Sequence, residues 1–212
     1  MTLQELAQRA NKEINLWAQD TDKLIVAIDG YAGIGKTTLL REITNFNSNV
    51  VAVNWDDFII PREIFREKLT KAEDRSKIFE LEIGDDHKLE EFISVFKTTN
   101  ASYEMKAYDG STGKVDMPRV FDFSKKIMVI EGVFMFHPEL SRSKLWDKRI
   151  YLQGDRDKTM ERRVSREKER WGKNYVPETH PDSYFKQVVI GLDRYNKLHA
   201  PEKIADLVLK MD

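Results

Sequence analysis

The chain contains no cysteine. Disulfides, thiolate nucleophiles and cysteine-bearing zinc sites are therefore excluded, and the composition fits a reducing compartment such as the cytoplasm. Charge of one sign is also missing: 35 basic residues face 36 acidic ones, a formal net charge of −1. This gives no global pull toward nucleic acid or an anionic membrane. No apolar run approaches bilayer length. The first residues, "MTLQELAQRANKEINLWAQD", lack the apolar core of a signal peptide. Leu3, Leu6, Ala10, Ile14 and Trp17 recur there at helical spacing and predict an amphipathic helix. Histidine is scarce as well. His87, His137, His180 and His199 are scattered without metal-ligand spacing and read as surface or cap residues. Internal repeats and low-complexity linkers are absent.

What remains is a chain of 212 residues, 41% hydrophobic, of a size that suits one α/β domain. "KLIVAID" reads as a buried strand, a helix is expected near 36–46, and "VVAV" (50–53) is a second strand. Residues 62–98 are charged and helical in pattern. "SYEMKAY", "DGSTG" and "KVDMPRVFDF" form a hairpin, with Asp109-Gly110 and Gly113 supplying the turn. "KIMVIEGVFMF" (126–136) and "DKRIYLQ" (147–153) are further strands, "RDKTMERRVSREKERW" is a basic helix, Pro181 is placed to start the next helix, and "KIADLVLK" is a last strand. Strands alternating with helices imply an α/β fold, its mainly parallel sheet covered by helices on both faces.

Glycine is sparse but concentrated where it counts. Gly30, Gly33 and Gly35 fall within six positions between the first strand and the first leucine-bearing helix after it. Gly30-x-x-x-x-Gly35-Lys36-Thr37 is a phosphate-binding loop pattern. Glycine lets the backbone curl so that successive N–H groups face a di- or triphosphate, and the following helix presents its positive end to the same anion. Gly30, Gly33, Ile34, Gly35, Lys36, Thr37 and Thr38 form the expected nucleotide-binding set. Lys36 is expected on an exposed loop, reaching the β- and γ-phosphates, with the Thr37 hydroxyl suited to Mg²⁺.

Two acidic positions sit where such a sheet binds ligands, past the carboxyl ends of strands. "AVNWDDF" places Asp56 and Asp57 there, as a base toward a hydroxyl attacking the γ-phosphate or, alternatively, as an Asx turn or helix cap. On an extended segment the two carboxylates would point in opposite directions. "IMVIEG" places Glu131 as a metal partner or simply as a polar strand terminus. Arg162, Arg166 and Arg170 are spaced by four on the basic helix, with Arg163 beside them. They could stabilise charge on a transferring phosphoryl group, or they could be solvated and paired with Glu161, Glu167 and Glu169.

In the order "IDGYAGIGKTT", "NWDDF", "YEMKAYD", "VIEGVF", "ERRVSRE" and "IADLVL", the sequence resembles the uridine kinase-like P-loop kinases, which include uridine/cytidine, nicotinamide riboside, pantothenate and phosphoribulokinases. The resemblance spans residues 23–210 and leaves the first helix outside. It implies a P-loop NTPase fold over residues 1–212 as a single kinase domain, with an N-terminal helix (1–21), a hairpin insertion (about 100–123) and a helical lid (about 155–180). It implies transfer of the γ-phosphoryl group of ATP (or GTP), with Mg²⁺, to a small-molecule hydroxyl, in first place on a nucleoside such as uridine or cytidine or a related riboside. By the same resemblance, Asp56 is the base, and Lys36, Arg162 and Arg166 complete the catalytic set. Thr37, Asp56 and Glu131 serve the metal, Asp57, Phe58, Tyr108 and Asp109 the acceptor, and Arg162, Arg163, Arg166 and Arg170 the lid. The departures are on the acceptor side: "LEIGDDHKLEEF" stands where uridine kinases carry an Asp-His-Pro-Asp-like stretch, "GSTGKV" replaces a Thr- and His-bearing segment, and the Arg166–Arg170 spacing is one residue short. A GTPase switch would need Asn-Lys-x-Asp, which "NKEI" and "NKLH" do not provide. A non-catalytic or differently specific nucleotide-binding protein is the alternative. No nucleic-acid or membrane partner is expected, and homo-oligomerisation is left open.

Overall fold

The computed structural model describes residues 1–177, 179–180 and 183–211, and the side chains of Arg170 and Asn174 lie outside that description. Pro181, expected to open a helix, lies outside it too.

Strand β1 (Leu24–Gly30) is buried along its whole length and occupies the centre of a five-stranded sheet. The order is β2 (Val50–Asn54), β5 (Ile127–Glu131), β1, β6 (Lys148–Gln153), β7 (Leu207–Lys210). Every pairing in it is parallel. An all-parallel sheet needs both faces covered, and the pleat of β1 shows how this is met. Val26 and Ile28 enter one apolar cluster with Leu6, Ala10 and Ile14 of α1 (Leu3–Trp17) and Leu39 and Ile43 of α2 (Lys36–Phe46). Ile25 and Ala27 enter another with Leu89, Phe92 and Phe96 of α5 (Asp86–Thr98). Helices α3 (Arg62–Lys71) and α4 (Arg75–Leu81) precede α5. The N-terminal helix is the one its periodicity predicts, and it opens with a reciprocal cap. Glu5 N–H donates to Thr2 Oγ1 (3.2 Å), and Thr2 N–H donates to Glu5 Oε2 (2.8 Å).

The hairpin is β3 (Ser102–Tyr108) against β4 (Val115–Asp122), antiparallel and outside the main sheet. Phe121 and Phe123 pack on Phe92, with ring centroids 4.9 and 5.1 Å away, and seat the hairpin on α5.

The strand expected over 126–136 is shorter. β5 ends at Glu131, and Phe134, Met135 and Phe136 after it stay buried in a turn where Phe134 takes φ 57°. Gly132 makes the turn feasible, since a Cβ there would lie 2.6 Å from Met135 Sδ and 2.7 Å from Trp55 Cβ. The early end leaves Glu131 at the strand's carboxyl terminus.

After β6 come α6 (Arg156–Trp171), α7 (Tyr184–His199) and the short α8 (Pro201–Ile204). Helix α7 starts at Tyr184, with Ser183 Oγ accepting from Lys186 N–H. Four consecutive α7 side chains bond to four different places. Asp193 accepts from Tyr31 and Arg156, and Arg194 donates to Glu80, Asp74 and Ser76. Tyr195 donates to Asp29, and Asn196 accepts from Tyr151. Among the described residues, no helix is long and apolar enough to cross a membrane.

Candidate active site

The site begins with Asp29, which is 0% exposed at the end of β1 and was not among the residues singled out from the sequence. Its Oδ1 accepts from Gly30 N–H (2.7 Å), and its Oδ2 accepts from Tyr195 Oη–H (2.7 Å) and Phe136 N–H (3.3 Å). Burial pushes its carboxyl up, while Tyr195, Lys36 and the two backbone donors act against that. An acidic residue closing an otherwise apolar strand, directly before the first loop glycine, was the available signal. Its effect is to hold the loop's entry rigidly.

The loop then passes close to other backbone. A Cβ on Gly30 would lie 2.5 Å from the Leu152 carbonyl oxygen of the neighbouring strand. Gly33 (φ 90°) would place one 3.0 Å from Arg163 Cβ on α6. Gly35 takes φ 114° and opens α2 with no side-chain cap. The first N–H groups of this helix are thus left to an anion, with the macrodipole favouring the same charge. Gly30→Ala should destabilise the fold by about 1–3 kcal/mol through overpacking against Leu152. Denaturant unfolding reads this directly, and an unchanged midpoint would mean that β1 and β6 separate at no cost.

Lys36 is not on an exposed loop, as the sequence had suggested. Only 6% exposed, its Nζ donates back across the turn to the Gly30 carbonyl (2.9 Å) and the Tyr31 carbonyl (3.1 Å). Burial lowers its ammonium from the ordinary 10.5, and Glu131, Asp29 and Asp56 oppose that shift, so three carboxylates act on one cation. Thr37 Oγ1 donates to Glu131 Oε1 at 2.7 Å. The Glu131 carboxyl is pushed up by burial against the pull of Lys36 and Thr37, and Asp56 raises it further. A hydroxyl and a carboxylate in contact, with the charge of a second carboxylate bearing on the first, form the all-oxygen donor set a hard divalent cation takes.

Asp56 and Asp57 stand on a single 3₁₀ turn (Trp55–Phe58) rather than on extended chain. They do diverge, but because successive residues of a 3₁₀ turn project about 120° apart. Asp56 is exposed and Asp57 is 6% exposed. The capping role falls to Asn54, whose Oδ1 accepts from Asp56 N–H (2.9 Å). Asp57 Oδ1 accepts from Arg119 of β4, Nη2 at 3.3 Å and Nε at 3.4 Å. Burial raises the Asp57 carboxyl and Arg119 counteracts it. Arg119 had no motif to mark it, because only the hairpin's docking brings it to the acidic pair.

The other acceptor-side expectations are redistributed. Phe58, expected to line a pocket, is 1% exposed and packs edge-on to Phe92 in the core (5.2 Å between centroids). Tyr108 is half-buried at the end of β3. Asp109 builds the hairpin turn, its Oδ1 accepting from Ser111 N–H (2.8 Å) and Ser111 Oγ–H (2.6 Å). Arg62 closes that turn by donating to the Gly110 carbonyl (2.7 Å). Ile34 is buried beside the loop, in the cluster that holds α2.

On α6 the arginines part ways. Arg163 lies against Gly33, with its guanidinium over the Phe185 ring (4.2 Å), and burial lowers it to about 10. Its Nε and Nη1 are buried without a hydrogen-bond partner among the described residues. Arg166 is exposed, pairs with Glu167 at 3.6 Å, and its charge bears on Glu131. Arg162 turns back onto its own helix, donating to the Lys158 carbonyl (3.2 Å) and Thr159 Oγ1 (3.5 Å). The side chain of Arg170 lies outside the described residues. His137, read from the sequence as a surface or cap residue, is 1% exposed.

The family model described as "Phosphoribulokinase / Uridine kinase family" matches residues 25–189. The chain belongs to that family. A uridine kinase of Borreliella burgdorferi (strain ZS7) is 25% identical over 186 residues, 87% of this chain and 85% of the relative. A uridine kinase of Halobacterium salinarum is 28% identical over 145 residues, 67% of this chain and 61% of the relative. Among solved structures, a "possible uridine kinase" from Bacillus stearothermophilus superposes with TM-score 0.70 at 20% identity, covering 99% of this chain and 100% of that one. Phosphoribulokinase from Rhodobacter spheroides gives 0.59 at 14% identity, covering 89% and 70%. These neighbours share the P-loop kinase fold with this family member.

Proposed function

We propose that the chain is an ATP-dependent kinase for a small hydroxyl-bearing acceptor, with a nucleoside or related riboside as the first candidate class. The observation that carries this reading is the convergence of Lys36, Thr37, Glu131 and Asp56 at the carboxyl ends of β1, β2 and β5, where Lys36 feels both carboxylates. Relatives named uridine kinase support the nucleoside class. The acceptor oxygen attacks the γ-phosphorus, its proton passes to Asp56, the bond from γ-phosphorus to the β–γ bridging oxygen breaks, and ADP leaves. Loop and α2 N–H groups hold the phosphates. Thr37 and Glu131 would hold Mg²⁺, which supplies charge neutralisation at the phosphoryl group. Asp57, fixed by Arg119, orients the acceptor. Residues 1–212 act as one kinase domain, with the β3–β4 hairpin as an acceptor-side insertion and α6 as the lid.

A panel assay of acceptor-dependent ADP formation, covering uridine, cytidine, other ribosides and acyclic polyols, tests the reading. Tight ATP binding with no acceptor-dependent turnover anywhere in the panel would sink it. Within the lid, Arg166→Ala should lower kcat by ~10³-fold or more, as expected for an arginine stabilising transition-state charge. Arg162→Ala should stay within about twofold, since its guanidinium serves its own helix. Equal effects from the two variants would remove α6 from the chemistry.

A further inference from the structure

His137 and Glu139 lie in the tight turns after β5, and His199 ends α7. The structure brings one ligand atom from each to within 4.8 Å of the others. The imidazole rings of His137 and His199 are 4.6 Å apart between centroids. Sequence spacing gave no hint, because β6 and α6 separate the two histidines along the chain.

The tautomer of His137 is decided by its neighbours. Glu139 N–H can only donate, and it donates to Nδ1 (3.2 Å), so Nδ1 carries the lone pair. The proton is then on Nε2, which donates to Glu80 Oε1 (3.2 Å). Glu80 is itself held by Arg194, whose Nε donates to Oε2 (2.7 Å). A buried imidazole with one nitrogen bonded to an anchored carboxylate and the other offered as a lone pair is the arrangement that orients metal-ligating histidines. Stacking on Tyr195 (5.4 Å, 20°) fixes the ring plane. Glu139 is exposed and His199 half-buried, so both can shift toward the centre and water can complete the coordination.

We propose that His137, Glu139 and His199 bind a divalent transition-metal ion of the zinc type, remote from the phosphate loop. Two imidazole nitrogens and one carboxylate oxygen suit Zn²⁺ and do not suit Mg²⁺, which prefers oxygen alone. Ligation at Nδ1 exchanges the Glu139 N–H contact for a metal bond. The ion staples the turn after β5 to the end of α7, closing the length of chain that carries α6.

The test uses untagged full-length protein stripped with a chelator and titrated with Co²⁺, then Zn²⁺. One equivalent of Co²⁺ should give the visible absorption of a low-symmetry, four-coordinate site. Zn²⁺ should displace it and raise Tm. Glu139→Gln changes an exposed residue and His199→Gln a half-buried one at the end of α7; metal-free melts check that both fold, and each should weaken binding by about tenfold or more. Glu80→Gln should weaken it ~10–100-fold without removing a ligand. Absence of a stoichiometric cobalt spectrum overturns the proposal. A spectrum that survives in the His199→Gln, Glu139→Gln double variant does so too, because the ion would then sit elsewhere, for example at Thr37 and Glu131.

Discussion

Lys36→Met should reduce kcat by about 10²–10³-fold, the loss typical of removing one preorganised charge donor from a transition state. Methionine preserves the unbranched stem and deletes only the ammonium, so the packing around a residue that is 6% exposed is largely kept. The Gly30 and Tyr31 carbonyls lose a donor. Each buried acceptor left unsatisfied costs about 1–3 kcal/mol, partly offset because a buried cation is removed as well. A small Tm change with a large kcat loss is therefore expected. The wild type carries a pH signature besides. Burial lowers the Lys36 ammonium from 10.5, and the cationic form is the one that binds phosphate. Nucleotide affinity should hold below that lowered pKa and fall as pH rises through it, earlier than for a free lysine. The methionine variant should lack this alkaline fall. A variant with near-normal kcat would remove Lys36 from the chemistry.

Asp56→Asn should lower kcat by ~10²–10⁴-fold, the range for loss of a general base, with ATP affinity nearly unchanged. Asn keeps the shape and cannot take the proton. Asp57→Asn should cost less in kcat and act on acceptor KM, because Asp57 already spends Oδ1 on Arg119 and lies 6% exposed behind the turn. The 3₁₀ geometry separates the proposed roles: the exposed carboxylate is assigned to the substrate hydroxyl, and the buried one to the wall beside it. If Asp57→Asn is the inactive variant and Asp56→Asn turns over, the assignment within "DDF" must be reversed. If both remain active, the base lies elsewhere, with Glu131 next to be tried.

The phosphate side was legible because its signals are local. Gly30, Gly33 and Gly35 report backbone needs that any reader of the chain can name, and the strand before them and helix after them are continuous in sequence. The proposed acceptor side was less legible because its candidate residues come from distant pieces of chain. Arg119 meets Asp57 only after β4 folds back, and Phe58 looks like a pocket residue until Phe92 is seen to cover it. Asp109 carries a motif letter but builds a turn. Periodicity over 126–136 could not reveal the break after Glu131, since the residues on both sides are equally apolar and only the crowding around Gly132 shows that the chain must turn. On α6 the spacing by four drew attention to Arg162, Arg166 and Arg170, yet Arg163, beside that series, is the arginine that touches the loop.

Asp193, Arg194, Tyr195 and Asn196 leave α7 around a full turn of its circumference, and each is tied to a different neighbour. Such a helix can neither roll nor slide without breaking all four attachments together, so it acts as a keel. Tyr195 transmits that fixity to Asp29 and thus to the first peptide of the phosphate loop, while α6 is moored to the same helix at two points, Arg156 on Asp193 and Arg163 over Phe185.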